Sequence, residues 1–192
     1  MNIPLLHPWK VSPRQAIHIQ EDLRQKLRQK RGKISLRTIA AGDVSYSRRD
    51  DRLYAAFLLF SYPDLSLLES ASAEGRATFP YIPGLLTFRE APILIKAFYK
   101  LKTRPDVLLL DGQGIAHPRS MGIAAHLGVL LGLPSIGCAK SRLIGTYEEP
   151  AVDRGNAVPL RHEGRTVGMV VRTRTGVKPV YVSPGHKIGI DT

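Results

Sequence analysis

Three acidic residues stand where an isolated carboxylate needs a reason. Asp43 follows Ala40-Ala41-Gly42 in an apolar run, Glu90 follows the stretch Phe79-Pro80-Tyr81-Ile82-Pro83-Gly84, and Asp111 sits in Leu110-Asp111-Gly112-Gln113-Gly114. A lone carboxylate in an apolar strand is costly unless it is paired, neutralised or bound to a cation. Three that converge repel one another unless a hard cation lies among them. Mg²⁺ or Mn²⁺ suits such oxygen donors, keeping several waters and accepting phosphate oxygens. The chemistry such a set supports is phosphodiester hydrolysis, in which the metal activates a water and stabilises the leaving oxygen without a covalent protein nucleophile. Zinc is disfavoured, because there is one cysteine and the six histidines are scattered. Each carboxylate also has an ordinary alternative. Asp43 can cap the turn at Ser45, Asp111 can form a simple Asp-Gly turn, and Glu90 can close a capping box with Thr87.

Tyr81 is held by its neighbours. Pro80 fixes its own φ and extends Phe79, and Pro83 does the same for Ile82, so the tyrosine sits on a stiff loop. A ring presented this way can enter a base stack and fill the gap left by an extruded nucleotide; the alternative is a buried tyrosine in a proline corner. His117, between the glycine loop and Pro118, is placed to contact a phosphate or base. His126 reads as a partly buried helix residue. Lys140, Arg142 and Lys187, at strand ends, are candidate phosphate contacts.

These residues need a scaffold, and the periodicities supply one. Ser12, Pro13 and Gln15 open a helix whose Ala16, Ile19, Leu23 and Leu27 share a face, with Lys30, Arg31 and Lys33 at its basic end. Three strands, 37–46, 53–60 and 65–73, are joined by polar turns and so form an antiparallel meander. A helical segment over 85–102 contains Pro92, which predicts a separate or kinked first turn. The apolar run 106–110, a helix opening at Pro118 and ending near Gly132, and the strand 134–139 make a parallel crossover unit. Segments 166–172 and 177–183 flank Thr175-Gly176 as a hairpin. The expected fold class is α/β, a single domain over 1–192 built on a mixed β-sheet with helices packed on both faces. In the ribonuclease H-like architecture this order puts one carboxylate on the first strand beside one ending the fourth, the places of Asp43 and Asp111.

Bulk composition agrees. Lys plus Arg number 28 against 16 for Asp plus Glu, a net charge of +12 that predicts a polyanionic partner. No segment approaches the ~18 apolar residues of a membrane span, and no signal-peptide pattern opens the chain. Cys138 cannot form an internal disulfide, and its apolar neighbours suggest a small core residue. The expected setting is reducing and cytoplasmic, with no membrane association and no obligate protein partner evident.

Taken in order, the segments 41–46, 79–90, 110–118, 121–126, 134–143 and 183–186 resemble the endonuclease V (deoxyinosine 3′ endonuclease) family over nearly the whole chain. The resemblance implies a ribonuclease H-like fold and Mg²⁺-dependent cleavage, with Mn²⁺ as a substitute. The cut falls at the second phosphodiester bond 3′ to deoxyinosine, a DNA repair activity that leaves the lesion in the nicked strand. It implies Asp43, Glu90 and Asp111 as metal ligands, Lys140 as an active-site lysine and Tyr81 as the wedge. Gly84, Leu86, Gly112, Gly114, His117 and Gly137 match positions lining a hypoxanthine pocket. Family members continue past Ser-Pro-Gly-His into a helix and a Glu-Pro-Thr-Arg stretch with a later histidine. That segment is absent before Thr192. The expected substrate is inosine-containing nucleic acid, DNA favoured over RNA. The alternatives are an inosine-specific endoribonuclease and a catalytically impaired inosine-binding module.

Overall fold

The computed structural model describes residues 7–29 and 35–191. The basic run Lys30, Arg31 and Lys33 lies outside the described residues. Helix α1 spans Pro13–Arg24, and Ser12 and Gln15 close the expected capping box. Strands β1 (Thr38–Tyr46), β2 (Arg52–Ser61) and β3 (Leu67–Arg76) form the antiparallel meander. Helix α2 (Leu86–Phe98), β4 (Val107–Asp111), α3 (Ile123–Leu131) and β5 (Ser135–Ala139) follow, then β6 (Ala157–His162), β7 (Arg165–Val171) and β8 (Val180–Pro184). All eight strands join one mixed sheet in the order β3-β2-β1-β4-β5-β8-β7-β6. The chain thus has the expected α/β architecture.

The core forms where alternation requires it. Leu53, Ala55, Phe57 and Leu59 of β2 turn inward, while the residues between them face outward. Above these side chains lie Ala91, Leu94 and Phe98 of α2 and Leu127 and Leu130 of α3. Helices α2 and α3 touch each other and the same sheet, and α1 touches α3. The described helices therefore gather on one face rather than dividing between both. On the opposite face Tyr54 and Leu58 remain about two-fifths exposed (40% and 39%). No helix among the described residues is long and apolar enough to cross a membrane.

Four local expectations are corrected. Helix α2 runs as one helix through Pro92 and ends at Phe98 rather than at 102. The proline removes one helical hydrogen bond, but the buried Phe88, Ala91, Ile93 and Leu94 hold the helix on the sheet. Helix α3 starts at Ile123 rather than Pro118. The intervening loop is held by hydrogen bonds to His117, whose carbonyl accepts from Ser120 N. Strand β6 was not expected. Its Pro159 lies in a strand at the sheet edge, where one side needs no partner. Finally, Cys138 is only half-buried, because its partners across β4 and β8, Asp111 and Val182, place it on the helix-free face.

Candidate active site

Parallel strands β1 and β4 last pair at Gly42 and Leu110. Asp43 and Asp111 are the next residue on each strand. Val44 and Leu110 belong to the helix-side core, so one step of alternation sends both aspartates to the other face. Glu90 approaches from α2. All three carboxylates line one cavity of about 770 Å³, together with Tyr81 and Lys140.

Each carboxylate has found a donor. Asp111 Oδ2 accepts from Lys140 Nζ at 2.5 Å. Asp43 Oδ1 accepts from Val44 N at 2.7 Å, not from Ser45. Glu90 Oε1 accepts the Tyr46 hydroxyl. The capping-box alternative for Glu90 is excluded, since α2 has Leu85 at its N-cap and no side-chain cap bond. Burial pushes the Glu90 carboxyl up to about 7, and although the Tyr46 hydrogen bond pulls it down, the charges of Asp111 and Asp43 add to the rise. Glu90 therefore feels both aspartates. Among the described residues no three acidic, histidine or cysteine side chains form a ready-made metal cage. The three side chains that line the cavity are nonetheless all carboxylates, the oxygen ligand type that a hard divalent ion takes.

The wedge candidate stands clear: Tyr81 is 67% exposed at the cavity rim, which removes the buried-tyrosine alternative. Its loop is tied to α2 by Arg89, whose Nη1 donates to Phe79 O at 2.7 Å. Gly84, Leu86, Gly112 and His117 line the cavity. Gly112 adopts φ 134°, where a side chain is strained. Gly114 and Gly137 are not in its lining. They lie behind it, where a Cβ on Gly114 would come within 2.2 Å of Pro184 O.

His117 lines the cavity, but both of its ring nitrogens are used. Nε2 donates to Gly84 O at 2.8 Å, and Nδ1 accepts from Arg119 N and Met121 N at 3.2 and 3.4 Å. Its two nitrogens thus tie the loop before α3 to the Gly84 carbonyl. His126 is fully buried, with Nε2 2.8 Å from Nε2 of His7. Lys187 Nζ donates to Gly132 O at the end of α3, and Arg142 donates to Gly145 O and lies over the Tyr147 ring. Of the three basic candidates only Lys140 enters the cavity. Two residues were missed. Arg119 and the wholly buried Gln20 of α1 both contact Gly84 O. The one sequence signal was a polar residue at 20, four positions after Ala16 on the apolar stripe.

These buried imidazoles predict an acid response. Burial drives His117 and His186 down to about 4 and also lowers His7 and His126. Groups depressed on folding bind more protons when unfolded, so their contribution is complete above pH 6.5 and is lost as pH falls toward 4. Glu90 acts in the opposite sense between about 7 and 4.5. Four imidazoles against one carboxyl leave a net loss. Denaturant titrations at pH 7.5 and pH 5 should show lower stability at pH 5, with His117 alone contributing about 2 kcal/mol.

Comparisons with known proteins give the family and the fold. The endonuclease V family model matches residues 21–192. A Trichormus variabilis endonuclease V is 49% identical over all of this chain and 87% of its own length. The Bacillus subtilis endonuclease V structure superposes with a TM-score of 0.91 at 31% identity, covering 100% of this chain and 84% of that one. The Ciona intestinalis endonuclease V, bound to a 24mer DNA containing an inosine followed by a ribo-adenosine, superposes with a TM-score of 0.79 at 26% identity, covering 93% and 84%. The eight-stranded mixed sheet is thus the ribonuclease H-like fold of these structures. With carboxylates, lysine and tyrosine gathered on that fold, the chain belongs to the endonuclease V family.

Proposed function

We infer that the protein is a divalent-metal-dependent DNA repair endonuclease. It cleaves the second phosphodiester bond 3′ to deoxyinosine and leaves the deaminated base in the nicked strand. The observation that carries this reading is the meeting in one cavity of Asp43, Glu90 and Asp111 with the exposed Tyr81 and the glycine-lined recess. Inosine as the target is supported by the nucleic acid held by the Ciona relative.

The carboxylates would hold Mg²⁺ or Mn²⁺, which when bound supplies Lewis-acid stabilisation and an activated water. Asp43 and Asp111, on rigid adjacent strands, set the position at which a phosphate is received. Lys140, 78% exposed and paired with Asp111, is placed to hold a backbone phosphate against that edge. Tyr81 fills the gap in the stack, and Gly84, Leu86 and Gly112 form the recess that accepts the extruded base. Backbone amides there can favour the O6 acceptor of hypoxanthine over the amino group of adenine.

The ribo-adenosine beside the inosine in the Ciona complex makes RNA the second reading. Matched DNA and RNA oligonucleotides, each with one inosine or one adenine, test both with Mg²⁺ or Mn²⁺. Nicking only of inosine DNA is the expected result. Preference for inosine RNA would move the assignment to an endoribonuclease. Inosine-selective binding without scission at high Mn²⁺ would identify a binding module instead.

A further inference from the structure

The carbonyl of Gly84 receives three donors from two separate parts of the chain. His117 Nε2 lies 2.8 Å away, Arg119 Nη2 2.9 Å and Gln20 Nε2 3.1 Å. Gln20 is wholly buried, and every polar atom of its amide is used. Its nitrogen also donates to Met121 O at 3.1 Å, and its oxygen accepts from Arg119 Nε at 2.6 Å. One side chain of α1 thus bridges the loop that carries Tyr81 and the loop that runs from His117 to Met121.

We propose that Gln20 and Arg119 are positioning residues that set base selectivity by clamping the Gly84 carbonyl, so that the Tyr81 loop and the glycine loop close at one fixed spacing. The proposal rests on the inosine reading above and adds the device that enforces it. Gly84 sits at φ 78°, and a Cβ built there would stand 3.2 Å from Arg119 Nη2, so the clamp closes against bare backbone. A carbonyl oxygen has two lone pairs, and here three donors share them. With its oxygen taken, Gly84 can offer a base only an N–H donor and its Cα surface. A donor complements the O6 acceptor of hypoxanthine, whereas the amino group of adenine needs an acceptor that this residue no longer provides. A site built around a hydrogen bond rejects the mismatched analogue strongly, because buried polar groups are left unpaired.

The test compares Arg119→Met, Arg119→Lys and Gln20→Leu with the unaltered chain. Fluorescence anisotropy in EDTA reads affinity for inosine and adenine oligonucleotides, independent of cleavage. Hydrogen exchange of the segment 79–86 reads loop order. Arg119→Met, at a partly exposed position, should stay folded, lose roughly tenfold in the inosine-to-adenine affinity ratio and exchange faster in 79–86. Arg119→Lys should recover part of the ratio. Gln20→Leu should lose more, and if it fails to fold, the arginine pair carries the test. An unaltered ratio in Arg119→Met, with the parent protein preferring inosine, overturns the clamp and leaves the functional reading intact. No preference in the parent overturns both.

Discussion

Replacing Asp111 with alanine is expected to lower single-turnover nicking of inosine-containing DNA by about 10³-fold or more while leaving the protein folded. Lewis-acid stabilisation by a bound divalent ion is worth several kcal/mol, and roughly 4 kcal/mol corresponds to about 10³ in rate. Asp43→Ala should lose as much, because the two aspartates directly follow the paired Gly42 and Leu110 on adjacent strands and each would contribute a charged oxygen ligand. Stability should change little. The Asp111 partner Lys140 is 78% exposed, and ion pairs at such positions contribute at most about 1 kcal/mol. Removing the aspartate leaves no buried unpaired charge, since the lysine can turn to water. Melting temperature and inosine-oligonucleotide affinity, measured beside the rate, separate the chemical role from a structural one. Retention of most of the rate in Asp111→Ala would remove this residue from the active centre and the metal set with it.

A second large effect is expected from one methyl group at Gly137. A Cβ there would lie 2.4 Å from Gly114 N and 2.5 Å from Gly112 O. Both atoms are main chain, so no side chain can swing away; either β5 or the loop after β4 must move. Overpacking of this kind typically costs 1–3 kcal/mol, and a backbone clash belongs at the upper end, about 3 kcal/mol. Function should suffer beyond stability, because the displaced atoms belong to the turn that leads from Asp111 into the recess. Gly137→Ala should therefore show a lowered denaturation midpoint and, at a temperature where it is folded, a raised KM for inosine DNA. An alanine variant with unchanged midpoint and KM would overturn the close contact of β5 with this loop as a constraint on the recess. The glycines of the recess thus fall into two groups. Gly84 and Gly112 line it, whereas Gly114 and Gly137 allow the layers behind it to touch.

The meander, the crossover unit and the rigid Tyr81 loop were all legible in one dimension. Each follows from local rules: alternation in β2, apolar runs bounded by Pro and Gly in β4 and β5, and the φ restriction of proline. Strand β6 was not legible, because Pro159 suppresses a strand signal until an edge position is known. The carboxylates could be picked out because an acid in an apolar run is conspicuous wherever it occurs. Their partners could not. That Glu90 takes the Tyr46 hydroxyl rather than closing its own helix cap depends on where α2 lands on β1. His117, placed by the sequence for a phosphate or base contact, meets backbone groups with both ring nitrogens, and Gln20, which the sequence reading passed over, is the bridge between two loops.

By itself, then, the sequence determined which segments extend or coil, which acids need a reason to exist and which loop is stiff, because these depend on dihedral limits and on the period of apolar residues. Only the tertiary structure decided which donor meets which acceptor, which glycines line the recess rather than its wall, and that the described helices share one face. Those outcomes are set by distances of a few ångströms between residues far apart along the chain, and no local preference encodes them.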